Sequence, residues 1–250
     1  MSSGTVNDFQ IGSVIGRGIS VFFRNIVAFV LVTIVIFIVP IVLTVFVFGA
    51  IGSGLGGILT MLLWFIAYFW LSAALVYGVV SDLRGNRASV GQILSGALSV
   101  LIPVFFVSIV VGLLVAVGTL ALIIPGIILY VMFWVAVPAA VVERTGIGDS
   151  MRRSLELTKG YRWQIFFVMV IWVVISFIVQ LIVGFIVGVP LGATSDMTAA
   201  AHIPVAGLLI TQIVNMLLSG VSASILAVGY HDLRVAKEGI GSEEIARTFD

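Results

Sequence analysis

Apolar residues run through this chain in long unbroken blocks, and the polar positions fall between the blocks in a regular order. The first block, NIVAFVLVTIVIFIVPIVLTVFVFG, becomes continuous at Ile26. It is long enough to cross about 30 Å of hydrocarbon at about 1.5 Å per helical residue. Every Lys and Arg lies in one of four clusters: Arg17 with Arg24; Arg84 with Arg87; Arg144, Arg152, Arg153, Lys159 and Arg162; and Arg234, Lys237 and Arg247. The intervening stretches 25–83, 88–143 and 163–233 contain no basic residue. Each is too long for one crossing and suits two helices of about 20 residues joined by a turn. Turn chemistry sits near the middle of each: GAIGSGLGG from Gly49, IIPGI around Pro125, and GVPLGATSDMTAAAHIP from Gly188 to Pro204. The pattern predicts an all-α polytopic membrane protein of six transmembrane helices in three hairpins. The expected spans are about 26–48, 57–80, 103–123, 125–142, 164–188 and 204–229.

The three turns carry no basic residue, so the excess of Lys and Arg on cytoplasmic loops places all four clusters, and both termini, in the cytoplasm. The location expected is a bacterial inner membrane. The N-terminal MSSGTVNDFQIGSVIGR lacks the early apolar core and small-residue cleavage site of a signal peptide, so no cleavage is expected.

A recurring start signal follows each basic cluster: IGSVIGRGIS at Ile11, VGQILSGALS at Val90, IGDSMRRSLE at Ile147 and IGSEEIARTF at Ile240. The hairpins also end alike, in SDLR at Ser81, VER at Val142 and HDLR at His231. The chain therefore reads as a single membrane domain, 1–250, built from pseudo-repeats at about 11–84, 90–144 and 147–234 with a cytoplasmic tail over 235–250. Each repeat is a short interfacial amphipathic helix leading into a hairpin. Ser13, Asp149 and Ser242 stand where an N-cap would start such helices.

Composition narrows the chemistry. The chain is 61% hydrophobic and 9% charged, with mean hydropathy +1.30, more apolar surface than one soluble core can hide. A net charge of +1 supplies no concentrated basic face for nucleic acid. The absence of cysteine removes disulfides, thiolate metal sites and cysteine nucleophiles. Asp196 and His202 share the last turn, but stable metal sites take three or four ligands, so neither a metal nor a cofactor is expected. No Asp, Glu, Lys or Arg falls inside an expected span, which disfavours ion-coupled transport and an intramembrane hydrolase. Glu143 with Arg144, Asp82 with Arg84, and Asp232 with Arg234 read as ion pairs at the membrane edge.

Two groups of residues remain as candidate sites. Gln212, Asn215, Ser219 and Ser222 recur every three or four residues and so share one face of the last span, with Gln180 of the fifth span as a facing partner. That stripe suits either a polar path or ordinary interhelical hydrogen bonding. The stretch from Ile147 to Trp163 sets Met151, Leu155 and Trp163 among Arg152, Arg153, Lys159 and Arg162. This composition suits a helix in the headgroup layer, where each basic side chain gains about 1 kcal/mol near an anionic leaflet. Gly184 with Gly188, and Gly220 with Ser224, are small-residue pairs that permit close helix packing.

The string VERTGIGDSMRRSLELTKGYRWQIFFV, with YHDLRVAKEGI and GRGISVFFRNIVAFV, resembles the glycerophosphoryl diester phosphodiesterase membrane-domain family and the related YciC-like bacterial inner-membrane proteins. The resemblance implies about six helices and a lipid-related or envelope role. It implies no reaction for this chain, because the phosphodiesterase of some relatives resides on a separate soluble barrel that nothing here matches. The function expected is that of a noncatalytic scaffold or accessory protein engaging membrane lipids, and other membrane proteins as a second class of partner, at its cytoplasmic face. The alternative is a passive lipid or small-molecule permease using the polar face of the last helix.

Overall fold

A computed structural model describes residues 9–51, 53–187 and 205–239. These residues are mostly helical, with short turns between the helices and no strand among them. The helices are α1 (Ile11–Arg24), α2 (Ile26–Ile51), α3 (Ser53–Leu83), α4 (Val90–Ser99), α5 (Leu101–Ala121), α6 (Ile123–Met132), α7 (Ala136–Glu143), α8 (Ile147–Thr158), α9 (Arg162–Val187) and α10 (Val205–Glu238). Six segments are long and apolar enough to span a bilayer: one each in α2, α3, α5, α9 and α10, and one formed by α6 and α7 together. The chain is a multi-pass membrane protein of all-α class.

Proline positions explain several boundaries. Pro103, Pro125 and Pro138 each stand third in their helix, within the first turn, where a missing N–H removes no intrahelical bond. Pro125 is therefore helical rather than the apex of the turn expected there, and the chain reverses at Leu122, whose backbone is extended. Pro40 lies inside α2, where the Thr44 hydroxyl donates to the Pro40 carbonyl at 2.6 Å.

The fourth span is not the continuous helix expected over 125–142. It breaks at Phe133–Val135, between α6 and α7. The Ala136 N–H donates to the Phe133 carbonyl at 3.0 Å instead of reaching back four residues, so the Met132 carbonyl loses its usual partner, and Pro138 has no N–H to offer Trp134. Ser154 Oγ of α8 donates to it at 2.9 Å, and Thr158 Oγ1, which lies closest to the Ser154 carbonyl at 2.8 Å, stands within reach of it at 3.3 Å. Side-chain hydroxyls commonly satisfy broken helices in this way where water is scarce.

The buried residues of α8 are accordingly Ser150, Ser154, Leu157 and Thr158, a small and largely polar face. Its caps also differ from expectation. Gln10 and Gly146 precede α1 and α8 without a side-chain cap, while Ser13 and Asp149 lie inside the helices; Ser242 is outside the described residues. The capping box that does form begins α4, where Ser89 Oγ accepts from the Gln92 N–H and Gln92 Oε1 accepts from the Ser89 N–H.

Burial is concentrated at the end of the bundle that carries Arg24, Asp82, Glu143 and Arg162, hereafter the charged end. Leu71–Val80 of α3, Ala136–Val141 of α7 and Val221–Leu233 of α10 are largely buried, together with Val14, Val21 and Phe22 of α1. Glycines set the closest approaches. A Cβ on Gly18 would stand 2.8 Å from the Ile225 Cα, so α1 and α10 meet almost backbone to backbone. The ring of Phe22 covers Gly220, which also accounts for that small residue, while Trp134 covers Gly229 and Phe29 covers Gly78. Toward the opposite end, stretches 55–66, 112–125 and 170–186 leave most of their apolar side chains exposed, as lipid-facing surface does. The tail expected from residue 235 begins as helix, because α10 continues to Glu238.

Candidate functional site at the charged end

Glu143, the last residue of α7, is the centre of a polar network. Its Oε1 accepts from the Tyr230 hydroxyl at 2.8 Å and from Arg153 Nε at 2.8 Å. Arg153 also pairs with Glu238, whose other oxygen accepts from Arg234 Nε at 3.0 Å. Each of the four charged side chains retains only about a quarter of its exposure, between 21% and 27%. The network ties α7, α8 and the end of α10 together, and carboxylates so placed need their partners, because an unpaired charge at this depth is costly.

Two further pairs tie α1 to the bundle. Arg24 bonds Asp82 at the end of α3, and Arg17 Nη1 donates to Asp232 Oδ1 of α10 at 2.6 Å. The His231 ring lies 3.3 Å from the same Asp232 oxygen. Every one of these partners differs from the sequence neighbour expected. Glu143 takes Arg153 rather than Arg144, Asp82 takes Arg24 rather than Arg84, and Asp232 takes Arg17 rather than Arg234. The reason is helical geometry: residues one or two apart project in different directions and do not face each other.

The expected headgroup residues divide in two. Arg152 is 74% exposed and has Asp149 and Glu156 at 3.8 Å on its own helix, while Lys159 and Arg162 are exposed beside Trp163, itself 73% exposed. Arg153 is turned inward and committed to Glu143 and Glu238. Lys237 sits over the Tyr161 ring at 5.8 Å, joining the end of α10 to the start of α9.

In the polar stripe, Gln180 of α9 donates to Asn215 of α10, which brings those two together across the helices. Gln212 and Ser219 are exposed, and Ser222 is half-buried. Thr211 and Ser224 return their hydroxyls to the carbonyls four residues earlier, at 2.9 Å in each case. Among the described residues no three His, Cys, Asp or Glu side chains converge as a metal site would require. Asp196, His202 and Gly188 lie outside the described residues. Sequence reasoning missed Tyr230 and Glu238 as members of the network. The only signal was their spacing from Arg234, four residues before and after it, which places all three along one helix face.

A family model described as a domain of unknown function, DUF7847, matches residues 86–233, more than half of the chain. No curated protein and no solved structure matches.

Proposed function

The chain belongs to the DUF7847 family, and from that premise we propose that it is a noncatalytic scaffold or accessory protein of the membrane, holding anionic lipid or a partner protein at its charged end. The observation that carries this reading is the division of basic residues there. Arg17, Arg24 and Arg153 take part in ties between helices and Arg234 pairs with Glu238 on its own helix, whereas Arg152, Lys159 and Arg162 stand exposed around α8, next to an exposed Trp163. A rigid end that presents basic and aromatic side chains outward suits the headgroup layer of an anionic leaflet. The resemblance of its basic and C-terminal motifs to the glycerophosphoryl diester phosphodiesterase membrane-domain family agrees with a lipid-related role.

In this reading the charged end faces the cytoplasm of a bacterial cell, with both termini on that side of the inner membrane. Helices α1, α4 and α8, each preceding a hairpin, are the interfacial elements of a threefold repeat. A tag near Thr194 and a second after Asp250 test the topology: labelling from opposite sides is expected, and labelling from one side overturns it. Extraction in native lipid patches followed by mass spectrometry tests the function. Enrichment of anionic lipid or a stoichiometric protein partner is expected, and a lipid composition equal to the bulk membrane with no partner overturns it.

A permease reading is favoured by one observation, the exposure of Gln212 and Ser219 on a membrane-spanning helix. Replacing Gln212 with Leu should then reduce lipid or solute flux in vesicles while leaving the Gln180–Asn215 bond in place; unchanged flux removes that reading.

A further inference from the structure

Between α1 and the end of α3 lies an open cleft of about 350 Å³, lined by Arg17, Ser20, Val21, Arg24, Asp82, Leu83 and Gly85. Arg17, Ser20 and Arg24 are spaced three and four residues apart and so project along one face of α1. The two ion pairs here are lopsided. Asp82 and Asp232 keep only 4% and 13% of their exposure, while Arg24 and Arg17 keep 47% and 46%. The carboxylates therefore anchor the guanidinium groups from the protein side and leave the remaining N–H donors toward the cleft. An arginine carries five such donors in a planar fork that matches phosphate.

Two more features complete the site. The Ser20 hydroxyl makes no hydrogen bond among the described residues. Arg84 and Arg87, on the same loop as Gly85, are exposed and have no ion pair among the described residues, so the loop that flanks the cleft adds positive charge beyond the two internal pairs. Exposed apolar side chains follow Arg24 in the chain: Phe23 at the end of α1 and Val27, Leu31 and Ile34 of α2 recur at helical spacing, with exposures of 58%, 70%, 45% and 51%. A phosphate in the cleft would have an acyl-sized apolar track beginning beside it.

We propose that this cleft binds the phosphodiester of a single anionic phospholipid, with Arg17, Arg24 and Ser20 holding the phosphate and the α1–α2 stripe holding an acyl chain. The proposal deepens the lipid-holding reading above, but it assigns the tight site to residues other than the exposed basic group around α8.

The test uses the full chain reconstituted in phosphatidylcholine vesicles containing a minor fraction of phosphatidylglycerol, followed by native mass spectrometry of the retained lipid. Ser20→Glu puts a carboxylate in the cleft without removing either ion pair, and Ser20→Gln is its uncharged match. Wild type and Ser20→Gln are expected to retain one phosphatidylglycerol. Ser20→Glu is expected to retain it at least about tenfold less well, since a carboxylate facing a phosphate is a like-charge clash. Equal retention by all three overturns the proposal. Titration with inorganic phosphate separates the two sources of the anion: saturable phosphate binding lost in Ser20→Glu, without any retained phosphatidylglycerol, overturns the lipid assignment. A combined Arg152→Gln, Lys159→Gln, Arg162→Gln variant reads the broader charged face. Retention that survives it and still responds to Ser20→Glu supports the cleft, whereas retention lost only in the combined variant overturns the cleft and sustains the face.

Discussion

Arg152 and Arg153 are adjacent and chemically identical, yet the fold gives them different work. Arg153 lies between Glu143 and Glu238 with 24% of its exposure left, while Arg152 is 74% exposed with its acidic neighbours at 3.8 Å. Replacing Arg153 with Ala leaves the partly buried Glu143 with the Tyr230 hydroxyl and no cation, while Glu238 keeps Arg234, so the loss should be about 2 kcal/mol, below the roughly 3–5 kcal/mol seen when a buried charge is left with no partner. Arg152→Ala should change stability by no more than about 0.5 kcal/mol, because exposed ion pairs contribute little. Reversible unfolding in mixed detergent measures both, and similar losses for the two variants would refute the assignment. The sequence displayed both arginines and both carboxylate partners of Arg153. It could not pair them, because the partners stand 10 and 85 residues away and only the packing of α7, α8 and α10 brings them together.

At the scale of elements, the interrupted fourth span shows the same limit. Its apolar run and its termini were readable from hydropathy, and Pro138 marked where a continuous helix would be kinked or broken. The partner of the freed Met132 carbonyl was not readable, since Ser154 and Thr158 looked like ordinary polar positions in a basic helix. The Thr158 hydroxyl can turn from the Ser154 carbonyl at 2.8 Å to the Met132 carbonyl at 3.3 Å, so it covers for the loss of the Ser154 hydroxyl, and Ser154 covers for it. Ser154→Ala or Thr158→Val alone should therefore cost less than about 1 kcal/mol, and the double variant more than the sum, approaching the roughly 1–3 kcal/mol of an unsatisfied buried acceptor. A double-mutant cycle by the same unfolding measurement checks this; additive losses would mean the hydroxyls do not share that carbonyl. The role of α8 follows from this contact. Its buried face is mostly small and polar because it docks on a broken helix, not because it floats on lipid.

Across the whole molecule, packing is uneven. The charged end holds the buried stretches of α3, α7 and α10 and all of the interhelical ion pairs among the described residues, while stretches toward the other end expose apolar side chains such as Leu120 and Phe185 at 87% and 89%. Removing lipid by detergent should therefore raise amide exchange first in 112–121 and 175–187, and last in 71–80 and 221–233. Hydrogen-exchange mass spectrometry before and after delipidation measures this, and uniform loss of protection would contradict the uneven core. The amino-acid sequence by itself determined the membrane, the six apolar spans and the grouping of charge, because these depend on transfer free energy and segment length, which are local properties. Only the tertiary structure decided which charges are spent on holding helices together, which face the surface, and where the cleft between α1 and α3 opens. Those outcomes depend on distances between residues far apart in the chain, set by glycine-mediated contacts such as Gly18 on Ile225, and no local pattern encodes them.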